Sequence, residues 1–106
     1  MPFLHTLQIA YNQLQYLPTI QRRLPIQEMF LQNNSLAALP ENFFKFVHCI
    51  RVLNLSNNRL CDLPTPDEPL QLEKLFLTAN CLIDKSLEKI SPYLRNIKIL
   101  HAAYNS

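Results

Sequence analysis

The fold is decided by residues 50–64, which read IRVLNLSNNRLCDLP. Counted from Ile50, apolar residues occupy steps 1, 4, 6, 11 and 14, Asn58 occupies step 9, and Pro64 ends the run. The same pattern recurs in four other places, in copies that begin near residues 4, 26, 72 and 97. The marker asparagines of the five copies are Asn12, Asn34, Asn58, Asn80 and Asn105. Because they are 22, 24, 22 and 25 residues apart, the chain is a repeat array.

Each copy resembles the leucine-rich repeat, L-x-x-L-x-L-x-x-N-x-L-x-x-L-P, and the resemblance covers essentially the whole chain. It implies an α/β solenoid, a fragment of a horseshoe. A parallel sheet would line the concave face, with short helices or irregular segments on the convex face. We expect one array over residues 1–106, with the fifth copy incomplete and no capping repeats.

Composition is that of a globular chain and favours neither nucleic acid nor membrane as a partner. Hydrophobic residues make up 48%, and 10 basic against 8 acidic residues leave a formal charge of only +2. Arg22 and Arg23 form the sole basic pair, too little for a phosphate-binding groove. No apolar run approaches the ~20 residues that cross a bilayer, so we predict no membrane insertion.

The cysteines predict a cytoplasmic protein. Cys49, Cys61 and Cys81 are odd in number and form no CxxC pair. The N-terminal sequence also lacks the features of a signal peptide. We therefore expect reduced thiols in an intracellular chain, with Cys81 on an exposed turn.

The asparagine of each repeat has a predicted structural role. It follows the strand L-x-x-L-x-L, where the chain turns toward the core, so its amide can bond backbone groups that the turn leaves unpaired. We expect its replacement by an apolar residue to cost about 1–3 kcal/mol.

Partner specificity is predicted to come from the strand residues that point away from the core. The central position of successive strands forms one column, with flanking positions on either side. Phe30 and Phe76 stand in this column two repeats apart and would have no core role. They would either anchor a protein partner, which we favour, or cover one another across the sheet. The predicted protein-binding residues are Gln8, Glu28, Phe30, Asn54, Lys74, Phe76, His101 and Tyr104.

The return segments between strands are predicted to differ. Repeat 1 returns through residues 19–25, with Ile20 and Leu24 available to the core. Repeat 3 has three prolines in residues 64–69 and should be extended.

Two return segments are predicted to be helical. In repeat 2, we expect a short helix that turns Phe43, Phe46 and Val47 inward; core filling is favoured there over binding. In repeat 4, Asp84 should cap a helix over residues 85–90 that buries Leu87 and Ile90 and stops at Ser91-Pro92.

Both ends of the array are predicted to expose apolar residues, since a solenoid buries its core only by stacking. This suggests a piece of a longer array or a truncated gene product. The residues concerned are Leu4, Leu7, Ile9, Ile97, Leu100 and Ala102.

We expect no catalytic, metal or cofactor site. The three histidines lie at different steps of different repeats, and no histidine base is placed beside a serine or cysteine. The chain contains no glycine, which excludes a glycine-rich phosphate loop.

The last third carries a narrower resemblance. Residues 72–82 (LEKLFLTANCL), Asp84-Lys85 and residues 97–105 (IKILHAAYN) resemble the repeats of the PH-domain leucine-rich-repeat protein phosphatases. If the chain belongs to that family, the resemblance implies that it is part of the targeting module of an intracellular Ser/Thr phosphatase that acts on phosphorylated kinases. The phosphatase's metal-binding aspartates would have no counterpart here. The alternative is a free-standing leucine-rich-repeat adaptor.

Overall fold

A computed structural model describes residues 6–17, 23 and 25–102 of the 106-residue chain. It contains one parallel sheet of five strands whose order in space is their order in sequence. The strands are β1 (Thr6–Gln8), β2 (Glu28–Phe30), β3 (Val52–Asn54), β4 (Lys74–Phe76) and β5 (Ile99–His101). Each strand pairs only with the strands of adjacent repeats, which confirms the predicted α/β solenoid.

The middle residue of each strand points into the core. Leu7, Met29, Leu53, Leu75 and Leu100 are in register across the five strands. Met29, Leu53 and Leu75 are buried, whereas Leu7 is half-buried and Leu100 is 46% exposed. The burial of this column therefore depends on a repeat on both sides, as the stacking argument predicts. Ile9, Ile97 and Ala102 are also half-buried, and Leu4 lies outside the described residues.

Three of the marker asparagines, Asn34, Asn58 and Asn80, join their repeat to the one before it. Asn58 donates from Nδ2 to the carbonyl oxygens of Leu55 in its own repeat (2.9 Å) and Leu31 in the preceding repeat (3.0 Å). Its Oδ1 accepts from the backbone N–H of Leu36 at 3.0 Å. Asn34 and Asn80 make equivalent bonds. The predicted structural role is thus confirmed for these asparagines, while Asn105 lies outside the described residues.

The strand exits adopt a left-handed backbone although the chain has no glycine. The residues with positive φ are Tyr11, Asn33, Asn57 and Ala79, at 58–61°. Asparagine tolerates this region better than other non-glycine residues, so Tyr11 and Ala79 carry local strain that the repeat geometry imposes.

The return segment of repeat 2 forms a single helical turn, α1 (Phe43–Phe46). Phe43, Phe44 and Val47 are buried, and the first two rings meet edge to face at 5.2 Å. The prediction that Phe46 points inward is wrong, since it is half-buried with the Lys45 ammonium 5.8 Å above its ring. Phe44 fills the core instead, which agrees with core filling as the role of this segment.

The return segment of repeat 4 is the longer helix α2 (Asp84–Ile90). Asp84 is its first residue and not its cap; Ile83 holds the cap position, and no side chain bonds there. Ser86 and Ile90 are buried, whereas Leu87, predicted to be buried, is half-buried.

The helical path also does not stop at Ser91-Pro92 but continues as a 3-10 helix over Ser91–Tyr93. A proline is tolerated at the start of a helical turn because its missing N–H is not needed there.

The return segment of repeat 3 is irregular. Residues 61–71 contain neither helix nor strand, as their prolines predict. The predicted core contacts of Ile20 and Leu24 lie outside the described residues. Within the described part of the chain, no helix has the length and apolar character needed to span a bilayer.

Candidate functional site

The candidate site is the strand face that points away from the core, here called the concave face. The last residue of each strand contributes to one column on this face, here called the central column, whose members are each in register with the next: Gln8, Phe30, Asn54, Phe76 and His101. The register therefore brings together the described residues that the sequence predicted to be neighbours. Tyr104 lies outside the described residues.

The two phenylalanines of the column are half-buried and do not belong to the buried core. One strand separates Phe30 from Phe76, and that strand carries Asn54 between them. At about 4.8 Å per strand, the Cα atoms of the two phenylalanines lie roughly 10 Å apart. Phe76 instead meets His101 edge to face, with ring centroids 5.1 Å apart. Phe76 therefore contacts His101 and not Phe30, and the in-register neighbours of Phe30 are the polar residues Gln8 and Asn54.

The amides of the central column are held by their own strands. Asn54 Oδ1 accepts from the N–H of Ser56 at 3.1 Å, and Gln8 Oε1 accepts from the N–H of Ala10 at 3.3 Å. Both bonds span two residues, so both side chains are fixed against the sheet. Gln32, two residues after Phe30 in the chain, has a buried Oε1 with no hydrogen-bond partner among the described residues.

The flanking column carries two charged residues, Glu28 and Lys74, and neither forms an ion pair with another described residue. Glu28 accepts a hydrogen bond from the Thr6 hydroxyl at 3.0 Å. Lys74, two strands away, is exposed and forms no ion pair with another described residue. The concave face therefore presents an acidic group beside Phe30 and an available cation beside Phe76.

Sequence reasoning missed a row of charges at the strand starts. Glu73 lies between two cations, with its Oε2 3.1 Å from Arg51 Nε and its Oε1 3.4 Å from Lys98 Nζ. Arg95 lines the same groove. The sequence does contain a signal for this row of charges, because residues 51, 73 and 98 occupy the same step of successive repeats. Arg51 and Lys98 are largely exposed, so each pair is worth at most about 1 kcal/mol.

A third ion pair lies on the return segments. Lys89 of α2 contacts both carboxylate oxygens of Asp62, at 3.1 and 2.9 Å. This contact, aided by the Leu63 N–H, lowers the pKa of Asp62 below its ordinary 3.8. Among the residues that the structure describes, no group of three or more histidine, cysteine, aspartate or glutamate side chains could hold a metal ion.

The fold and this surface together define a class of protein, the repeat solenoid whose exposed strand face binds other proteins. The sequence model of the Leucine Rich Repeat family matches residues 49–69, around Asn58 and its strand. The chain is a leucine-rich-repeat protein.

The chain is similar to keratocan and lumican and also to a protein phosphatase that contains leucine-rich repeats. Keratocan of Bos taurus is 32% identical over 100 residues, which cover 90% of this chain and 27% of keratocan. Lumican of Bos taurus is 30% identical over 98 residues, which cover 88% of this chain and 27% of lumican. PH domain leucine-rich repeat-containing protein phosphatase 1 of Mus musculus is 42% identical over 60 residues, which cover 53% of this chain and 4% of that protein. The chain thus spans about a quarter of the length of keratocan and lumican.

Proposed function

We propose that the chain binds a segment of a partner protein across its concave face, with Phe30 and Phe76 as anchors. The observation that carries this proposal is their placement in one column, half-buried and separated by a polar residue. Aromatic side chains within a polar rim are typical of the residues that dominate binding energy. The rings keep exposed surface that a partner can cover.

The geometry also suggests what the partner presents. Two apolar side chains about 10 Å apart would meet the two rings. A polyproline II segment, with three residues per turn, places residues i and i+3 on one face at about that spacing, and a helix places residues i and i+7 there. A basic group near Glu28 and an acidic or phosphorylated group near Lys74 would then set the direction of the segment.

In its finer form, the proposal makes the chain part of the targeting module of a signalling phosphatase in the cytoplasm, with a phosphorylated kinase as partner. The similarity to the mouse phosphatase supports this reading. The alternative, a free-standing adaptor, draws support from the longer matches to keratocan and lumican, whose names indicate no phosphatase. Sequencing the full transcript separates them, since a metal-dependent phosphatase domain in the same reading frame would establish the first.

A peptide-display library selected on the wild-type chain tests the binding surface. We expect enriched peptides to carry two apolar residues at one of the two spacings. Changing Phe30 and Phe76 together to serine should weaken their binding about thirty-fold or more, because anchor residues contribute about 2 kcal/mol or more.

The matched control is the double variant Tyr16→Ser and Ile83→Ser. It also removes two large exposed apolar side chains, but from outside the strands. It should bind the selected peptides like wild type. If the Phe30/Phe76 variant stays folded and binds them equally well, the concave face is not the binding surface.

A further inference from the structure

We propose that Cys61 and Cys81 form a disulfide that links repeats 3 and 4 when the chain meets a disulfide oxidant such as oxidised glutathione. The proposal is independent of partner binding. It depends on how the repeat geometry places these two residues, which are 20 positions apart in sequence and both exposed.

A backbone hydrogen bond places Cys81 beside Cys61. The Cys81 N–H donates to the carbonyl oxygen of Leu60 at 2.8 Å. That carbonyl belongs to the peptide bond that leads into Cys61. Standard covalent geometry then keeps the two Cα atoms within about 7 Å of each other. Disulfides occur at Cα separations of about 4.4–6.8 Å, so the spacing admits the bond.

This placement follows from the fold rather than from one local contact. The residues after Asn34 and Asn58 bond the preceding repeat in the same way: Ser35 N–H to Leu14 (2.7 Å) and Arg59 N–H to Leu36 (2.8 Å). The position that Cys81 occupies is therefore set opposite the position of Cys61 by the stacking itself.

The two side chains also lie on the same side of the chain. Their neighbours Leu60 and Leu82 are completely buried, whereas both cysteines are exposed. Two apolar side chains thus turn inward, and both thiols stay outside the core.

The segment around Cys61 is further held against repeat 4. The Ser86 hydroxyl donates to the Cys61 carbonyl at 3.3 Å, and Lys89 pairs with Asp62 at 2.9 Å. Both partners lie on α2, five and eight residues after Cys81. These contacts reduce the motion that separates the two thiols. Formation of the Cys61–Cys81 disulfide therefore competes well with reaction of the second cysteine with another molecule of oxidised glutathione.

The chemistry is thiol–disulfide exchange. The thiolate of one cysteine attacks oxidised glutathione, which forms a mixed disulfide and releases one glutathione thiol. The second cysteine then attacks the protein sulfur of that mixed disulfide and releases the other glutathione. Two electrons pass to the oxidant, and the two protons end on the released glutathione thiols. The closed loop contains β4, the strand that carries Phe76.

Tryptic mapping tests the proposal on the full chain, because cleavage after lysine and arginine separates the three cysteines. Cys61 falls in residues 60–74, Cys81 in residues 75–85 and Cys49 in residues 46–51. After incubation of the folded monomer with oxidised glutathione, we expect peptides 60–74 and 75–85 joined, with the loss of two hydrogens. Dithiothreitol should separate them again.

Variants and a denatured sample supply the controls. Cys49→Ser should keep the link, since Cys49 is half-buried with its Sγ 3.5 Å from His48 Nε2. Cys81→Ser should lose the link and carry glutathione on Cys61 instead. In concentrated urea the yield of the 61–81 link should fall, because the proximity comes from folding. Glutathione adducts alone on the folded wild type, links through Cys49, or links only between chains would each overturn the proposal.

A second measurement reports the consequence of the link. Closing this loop restricts the unfolded chain, so oxidation should raise the urea midpoint of wild type and of Cys49→Ser but not of Cys61→Ser. An unchanged midpoint in a cross-linked chain would show that the bond forms only by distorting the stack.

Discussion

Replacing Asn58 by alanine should destabilise the chain far more than the same change at Asn12. Asn58 is 7% exposed, and its side-chain bonds join repeat 3 to repeat 2. Asn12 occupies the same step of its repeat but is exposed, and among the described residues its side chain bonds only the Ile9 and Ala10 carbonyl oxygens of its own repeat. The two variants therefore differ in environment and not in chemistry.

The size of the destabilisation by Asn58→Ala depends on which backbone groups lose all of their side-chain hydrogen-bond partners. The carbonyl of Leu31 keeps the amide of Asn34, and that of Leu55 keeps the amide of Asn80. The Leu36 N–H, in contrast, loses its Asn58 acceptor while buried. One stranded donor costs about 1–3 kcal/mol, and each weakened carbonyl adds roughly 0.5–1 kcal/mol. We expect a loss of about 3 kcal/mol for Asn58→Ala and less than about 0.5 kcal/mol for Asn12→Ala.

Urea unfolding followed by far-ultraviolet circular dichroism measures both values. With an m-value of about 2 kcal/mol/M, the midpoint of Asn58→Ala should fall by roughly 1.5 M at an unchanged slope. If the two variants lose stability to within 0.5 kcal/mol of each other, the asparagines do not join the repeats as described. Asn58→Asp provides a check on the donors, because it keeps the shape but cannot donate to the carbonyls.

Three further substitutions or titrations test other parts of the structure. Ala79→Asn should raise the free energy of unfolding by about 0.5–1 kcal/mol, because asparagine adopts positive φ more readily than alanine. Urea unfolding measures this change, and a lower free energy of unfolding would argue against the left-handed conformation at residue 79. Leu53→Ala should cost about 2–5 kcal/mol and Leu100→Ala much less, since the first is completely buried and the second 46% exposed; equal unfolding free energies would contradict the graded core. Carboxyl NMR should show that Asp62 has a pKa below 3.8, which returns toward that value in Lys89→Ala. The lowered pKa contributes stability that is present above pH 3.8 and is lost as the pH falls through the folded pKa. If the pKa of Asp62 is not lowered in the wild type, the Lys89–Asp62 ion pair does not form in solution.

Much of the concave face could be predicted from the repeat register alone. Because strand side chains alternate, the apolar steps identified the inward residues, and the register placed Phe30, Asn54 and Phe76 side by side. What the register could not supply was the pairing of Phe76 with His101, which depends on side-chain rotamers. The charge row through Glu73 was also missed, although its period is visible in the sequence.

The amino-acid sequence by itself determined the repeat period, the parallel stacking and the role of the marker asparagines, since these depend on a pattern repeated at each turn. The tertiary structure decided the features that occur once: Phe44 rather than Phe46 in the core, and a helical path that continues past Ser91. It also decided that Cys61 lies beside Cys81, through a backbone bond between neighbouring repeats. A periodic signal is reinforced by every copy, whereas a single return segment is shaped by the particular side chains packed against it.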